Sequence, residues 1–162
     1  MQLTRRLGLV LMLALIAFAA LATTASASTQ PAAGTFTEGP ETILEERQSG
    51  GNLIIELTRA VVFSGTYTGA GQAHQRIVIH KDGSANLQMT ITFSGLACGQ
   101  PAELVFNVVA RVQFDESFMG PVSGTYTVID SGRSDARTLR GHGEFEALAG
   151  IGGAYQGRAH CD

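Results

Sequence analysis

One charged residue interrupts an apolar strand pattern, and it is the first candidate for chemistry. Arg59 shares a period-two face with Leu57 and Val61, so its guanidinium should point inward with them. A buried guanidinium needs a carboxylate, backbone carbonyls or an anionic ligand, because leaving it unpaired is costly. Two interpretations stay open: Arg59 pairs with a glutamate such as Glu45 or Glu144, or it contacts a bound ligand.

Aromatic and sulfur-containing side chains on similar strand patterns are the other candidates for ligand contact. Tyr67, Tyr126 and Tyr155 lie at or near predicted strand ends. A phenol there can orient a ligand carbonyl, although it is more often a core aromatic whose hydroxyl reaches the rim. The predicted ligand-binding residues are Arg59, Phe63, Tyr67, Met89, Phe106 and Tyr126.

Signatures of hydrolases, nucleotide-binding enzymes and metal sites are missing from the sequence. No Gly-x-Ser-x-Gly elbow occurs, and Gly141-x-Gly143 does not open a helix as a dinucleotide fingerprint does. His74 and His80 are roughly 20 Å apart along a strand, too far for one zinc ion. We therefore predict no metal and no cofactor. If the protein is an enzyme, it should be a cofactor-independent cyclase or isomerase.

The first 27 residues have the pattern of a signal peptide, which should form an N-terminal helix. Arg5-Arg6 precedes the apolar run 7–22, and an A-x-A motif ends at Ala27, which places cleavage before Ser28. The run is shorter than the roughly 20 residues of a spanning helix. The sequence predicts a secreted protein without membrane attachment after cleavage. It leaves open whether export uses the general or the twin-arginine route.

The charge of the exported chain argues against one class of partner. The full chain has a net charge of −3, and loss of Arg5 and Arg6 leaves 9 basic against 14 acidic residues, or −5. No block of basic residues occurs, so we predict no binding to nucleic acid.

Two cysteines, Cys98 and Cys161, are the only ones in the chain. An even number of cysteines in an oxidising compartment predicts a disulfide, and two unrelated thiols are the alternative.

Strand patterns occupy the rest of the chain after a small, polar segment at 28–33, which we predict to be a flexible linker. Asp82-Gly83 is a strong hairpin signal, and Gly69 to Gly71 should separate two further strands. Short connections favour antiparallel up-and-down order and a single barrel domain at 34–162, with a two-sheet sandwich as the alternative. The predicted strands are 34–46, 52–67, 71–80, 84–94, 102–114, 119–130, 138–147 and 153–160.

The glycine-rich end of the chain resembles a known group of barrels. Residues 141–150, GHGEFEALAG, resemble the G-x-G-x-F-x-x-x-x-G segment of allene oxide cyclase-like and dirigent-like proteins. Region 34–158 is similar to the bacterial DUF3224 family, whose function is not established. That likeness rests on Gly34-Thr35-Phe36, Leu57-Thr58-Arg59-Ala60, Asp82-Gly83-Ser84-Ala85 and the closing segment. The resemblance implies an all-β antiparallel barrel with a central cavity and no particular activity.

From these features we expect a secreted barrel that binds a small apolar molecule in its lumen without transforming it. A cyclase or isomerase acting on a flexible apolar substrate is the second hypothesis, because such a cavity can hold a substrate in a reactive conformation. A structural or oligomeric surface protein is the third. Polar outward positions such as Asn86 and Gln88 argue mildly against a large apolar interface, and the oligomeric state stays open.

Overall fold

Eight antiparallel strands form one sheet that closes in a ring. Our computed structural model describes residues 29–115, 119–131 and 139–161, so the predicted signal peptide and its cleavage site at Ala27 and Ser28 lie outside the described residues. The strands are β1 (Thr29–Ser49), β2 (Asn52–Gly65), β3 (Tyr67–Ile79), β4 (Ser84–Ala97), β5 (Gln100–Gln113), β6 (Pro121–Asp130), β7 (Arg140–Leu148) and β8 (Gly152–His160).

Each strand pairs with its neighbour in the chain, and β1 also pairs with β8. This closure confirms the all-β prediction of eight antiparallel strands, and it rules out the two-sheet sandwich. The described residues contain no helix long and apolar enough to cross a membrane.

The predicted linker is wrong from Thr29 onward, because these residues form the start of β1. Thr29 lies opposite His160 of β8, and Ala33 lies opposite Gln156. Without this pairing the edge of β8 from Gln156 to His160 would stay unpaired, so the segment is part of the closed ring although its composition alone suggests a linker.

The predicted turn at Gly69 to Gly71 is also wrong, since both glycines lie inside β3. Gly69 is paired with Phe63 of β2 and with Gly95 of β4. A Cβ atom at Gly71 would lie only 2.6 Å from the Ile91 side chain. These glycines therefore mark close packing inside the sheet and not a chain reversal.

The Asp82-Gly83 turn is confirmed between β3 and β4. Gly83 has a φ of +79°, the left-handed conformation that glycine tolerates. Asp82 Oδ1 accepts hydrogen bonds from the Ser84 backbone N–H at 3.0 Å and from the Ser84 hydroxyl at 2.6 Å. Both hydrogen bonds lower the pKa of Asp82, and the bond from the hydroxyl has the larger effect.

One end of the ring is packed with large side chains and crossed by a disulfide. Cys98 follows β4 and Cys161 follows β8, and they form the predicted bond with Cα atoms 6.2 Å apart. Tyr67, Leu104 and Val128 are almost completely buried and lie towards this end of their strands. We call it the closed end.

A pair of facing glycines lets the last two strands approach each other closely. Gly143 of β7 lies opposite Gly157 of β8, and a Cβ on Gly157 would lie 2.6 Å from the Gly143 Cα atom. We expect Gly157→Ala to lower the free energy of unfolding by about 2 kcal/mol, because the backbone must shift to admit the methyl group. Urea denaturation measures this change. In the matched control Gly39→Ala, the nearest atom would be 3.4 Å away, so equal stability of the two variants would contradict the prediction.

Candidate functional site

The interior of the ring opens at the end opposite the disulfide. The opening leads into a cavity of about 570 Å³, which we call the funnel. Its polar lining residues are Glu38, Glu41, Glu46, Arg59 and Gln75. Aliphatic side chains make up most of the remaining lining, among them Leu53, Ile55, Leu57, Ile77, Ile79, Leu87, Val112 and Val122.

Aromatic side chains fill the interior between the funnel and the closed end. Phe63 stacks on Phe106 with ring centroids 5.1 Å apart, and Phe106 also contacts Tyr67 and Tyr126. The space left in this layer is about 30 Å³, enough for about one water molecule. Four of the predicted ligand-binding residues, Phe63, Tyr67, Phe106 and Tyr126, therefore belong to a packed layer, and the larger open space lies beyond it.

The hydroxyls of Tyr67 and Tyr126 are buried in this layer, so the expectation that they reach the rim is wrong, whereas the Tyr155 hydroxyl bonds the backbone on both sides of the β2–β3 turn. Tyr155 accepts a hydrogen bond from the Tyr67 backbone N–H at 3.0 Å, and its hydroxyl lies 3.2 Å from the Ser64 carbonyl oxygen, to which it donates. The hydroxyls of Tyr67 and Tyr126 are buried without a hydrogen-bond partner in the described part of the chain. Burial, with a smaller contribution from the neighbouring phenols, raises the pKa of both, that of Tyr126 to about 12. Both phenols therefore stay protonated at neutral pH.

Two glycines of β7 leave space for two of these phenols. A Cβ atom on Gly141 would lie 2.5 Å from the Tyr67 hydroxyl, and one on Gly143 would lie 2.7 Å from that of Tyr126. The glycine-rich segment thus has an architectural role, because it leaves space for tyrosine side chains that a Cβ atom at these positions would fill.

Arg59 points inward, as predicted, and it is only 6% exposed. It forms ion pairs with Glu38, whose oxygen lies 2.5 Å from Nη1, and with Glu41, which contacts Nη2. The suggested partners were therefore wrong. Glu45 pairs with Arg47, and Glu144 lies on the exposed outer face of β7.

A bulge in β1 explains why two glutamates converge on one arginine. Glu38 lies opposite Val61 and Glu41 opposite Arg59, so three steps along β1 match two along β2. The extra residue reverses the alternation of side chains, and both carboxylates face inward although they are three positions apart, an odd spacing. The Gly39-Pro40 dipeptide inside the strand was the available sequence signal, because glycine and proline interrupt regular ladders.

One polar atom of this cluster stays unsatisfied. Arg59 Nε is buried and has no hydrogen-bond partner among the described residues. Glu38 is only 12% exposed and also accepts a hydrogen bond from the Gly150 N–H at 3.1 Å. The guanidinium charge is thus neutralised by β1, while one N–H donor of a funnel-lining residue is left without an acceptor.

Met89, the last of the predicted residues, also lines the funnel and contacts a polar residue that the sequence analysis missed. Gln75 is buried on the inner face of β3, with Nε2 2.9 Å from the Met89 sulfur. Period-two alternation from Ala73 and Ile77 would have placed Gln75 inward.

The described residues contain no group of three or more His, Cys, Asp or Glu side chains that could hold a metal ion. The site consists of an apolar funnel, an aromatic floor and an arginine paired with two glutamates, one buried N–H of which has no acceptor among the described residues. No protein-family model matches this chain, and no curated protein is significantly similar to it.

Proposed function

We propose that this chain is an exported barrel of the allene oxide cyclase-like type that holds a small, largely apolar molecule in the funnel. The observation that carries the proposal is the funnel itself, a cavity of about 570 Å³ with a mainly aliphatic lining and few polar groups. Small-molecule sites typically have volumes of about 300–1,000 Å³ and this kind of lining. The ring of eight antiparallel strands, closed by the pairing of β1 with β8, supports the barrel assignment.

Two features support export. The Cys98–Cys161 disulfide suits an oxidising compartment, where such bonds persist. Residues 1–27 carry the charged, apolar and small-residue regions of a signal peptide in the right order.

Native mass spectrometry of the protein purified from its own host tests the binding proposal. We expect a co-purified small molecule, and we expect the double variant Leu57→Trp/Leu87→Trp to lose it, because both leucines line the funnel. Occupancy should fall by about tenfold or more, the effect of losing roughly 1.4 kcal/mol of binding free energy.

The matched control places the same indole rings on the outer surface. Val62 and Val109 are 54% and 60% exposed, so Val62→Trp/Val109→Trp should keep the bound molecule. The proposal fails if the wild-type protein carries no small molecule, or if the folded funnel variant retains full occupancy.

A further inference from the structure

We infer that the funnel selects uncharged, oxygen-bearing apolar molecules, such as alcohols and ketones, over carboxylates of the same size. This inference rests on the proposed function and specifies the chemical class of its ligand. It follows from two separate properties of the funnel: the balance of charges on its lining, and the kind of polar atom that the lining leaves without a partner.

The charges on the funnel lining disfavour an anion. Glu38, Glu41 and Glu46 face a single described cation of this lining, Arg59, which leaves a formal charge of −2. Both terminal nitrogens of Arg59 are already engaged by Glu38 and Glu41. A ligand carboxylate would therefore meet repulsion and would have to displace an existing ion pair.

The unsatisfied polar atoms call for an acceptor on the ligand. Arg59 Nε–H can only donate, and the residue that carries it is more than nine-tenths buried. The Tyr126 hydroxyl is also buried and unpartnered in the described part of the chain, and the Tyr126 side chain lines the small inner cavity. Glu38 and Met89 line both that cavity and the funnel, so the two spaces are neighbours. A hydroxyl or carbonyl oxygen satisfies such donors, whereas an alkylammonium group has no lone pair to offer.

Titration of one ligand series by methyl NMR at neutral pH tests the inference. Decanol, decanoate and decylammonium share one chain and differ in head group, and the methyl signals of Met89 and Ile77 report binding in the funnel. We expect decanol to bind at least about tenfold more tightly than decanoate, a difference of roughly 1.4 kcal/mol.

Two substitutions separate the donor from the charge. Arg59→Lys keeps a cation beside Glu38 but removes the Nε donor, and it should weaken decanol binding about tenfold. Arg76→Lys is the matched control on the outer face of β3, where Arg76 is 41% exposed, and it should leave the affinity unchanged. If Arg59→Lys does not fold, Glu46→Gln at the exposed rim provides the second test, because it should strengthen decanoate binding several-fold.

Each outcome has a defined meaning. Decanoate or decylammonium binding as tightly as decanol would overturn the inference while leaving the proposed binding function intact. Unchanged decanol affinity in folded Arg59→Lys, or unchanged decanoate affinity in Glu46→Gln, would also overturn it. Absence of methyl shifts with all three ligands would instead count against the proposed function itself.

Discussion

Removal of the disulfide by Cys98→Ala/Cys161→Ala is expected to lower the free energy of unfolding by roughly 4 kcal/mol. The bond joins residues 63 positions apart, so it restricts a large part of the unfolded chain. It also fastens the end of β8, one of the two strands that close the ring, to the turn after β4. Urea unfolding of the oxidised protein and of the double variant measures the difference.

The dependence of the unfolding free energy on urea concentration should identify the cause of the lost stability. An unfolded chain without the cross-link is less compact, so the slope of free energy against urea concentration should increase in the double variant. Cys161→Ala alone breaks the same bond without altering Cys98, which has a φ of +54°, and it should produce most of the loss. The prediction is wrong if wild type and double variant unfold at the same urea concentration.

Arg59→Met is expected to destabilise the protein by roughly 3 kcal/mol, because it leaves a buried carboxylate without its counter-ion. Glu38 is 12% exposed, and the Gly150 N–H would be its one remaining donor in the described part of the chain. Glu41 contributes less to this cost, because its side chain is 51% exposed and water can solvate it. Chemical denaturation of the variant and of wild type gives the magnitude.

A rescue and a control make this result specific. Adding Glu38→Gln to Arg59→Met removes the unpaired charge while keeping an acceptor for Gly150, and it should recover much of the lost stability. Arg76→Met breaks an exposed pair with Glu56, 3.8 Å apart, and should change stability by less than about 0.5 kcal/mol. Equal effects of Arg59→Met and Arg76→Met would contradict the buried-charge argument.

Local patterns predicted the strands well and their ends less well. Alternation in 84–94 and 102–114 identified β4 and β5, because one face of each strand packs inside the ring and the other meets water. The errors at 29–33 and at Gly69 to Gly71 both concern residues that signal linkers or turns when viewed alone. In this sheet 29–33 pair with β8, and the glycines of β3 allow a neighbouring strand to approach closely.

Alternation along single strands also predicted part of the candidate site. The inward direction of Arg59 and of Met89 follows from counting along one strand. The partners of Arg59 do not, because they depend on the register between β1 and β2 and on the bulge that turns Glu41 inward. The burial of the tyrosine hydroxyls depends equally on strands that lie far apart in the chain.

The sequence by itself determined eight strands, the pairing of Cys98 with Cys161 and the inner face that carries Arg59. The strands and the inner face follow from the two-residue alternation within short stretches of chain. The cysteine pairing follows from the number of cysteines in the sequence. Only the tertiary structure decided that one half of the interior is packed while the other is an open funnel, and that Arg59 enters it already neutralised. Both depend on side chains from opposite walls of the ring, whose positions are set only when β1 meets β8.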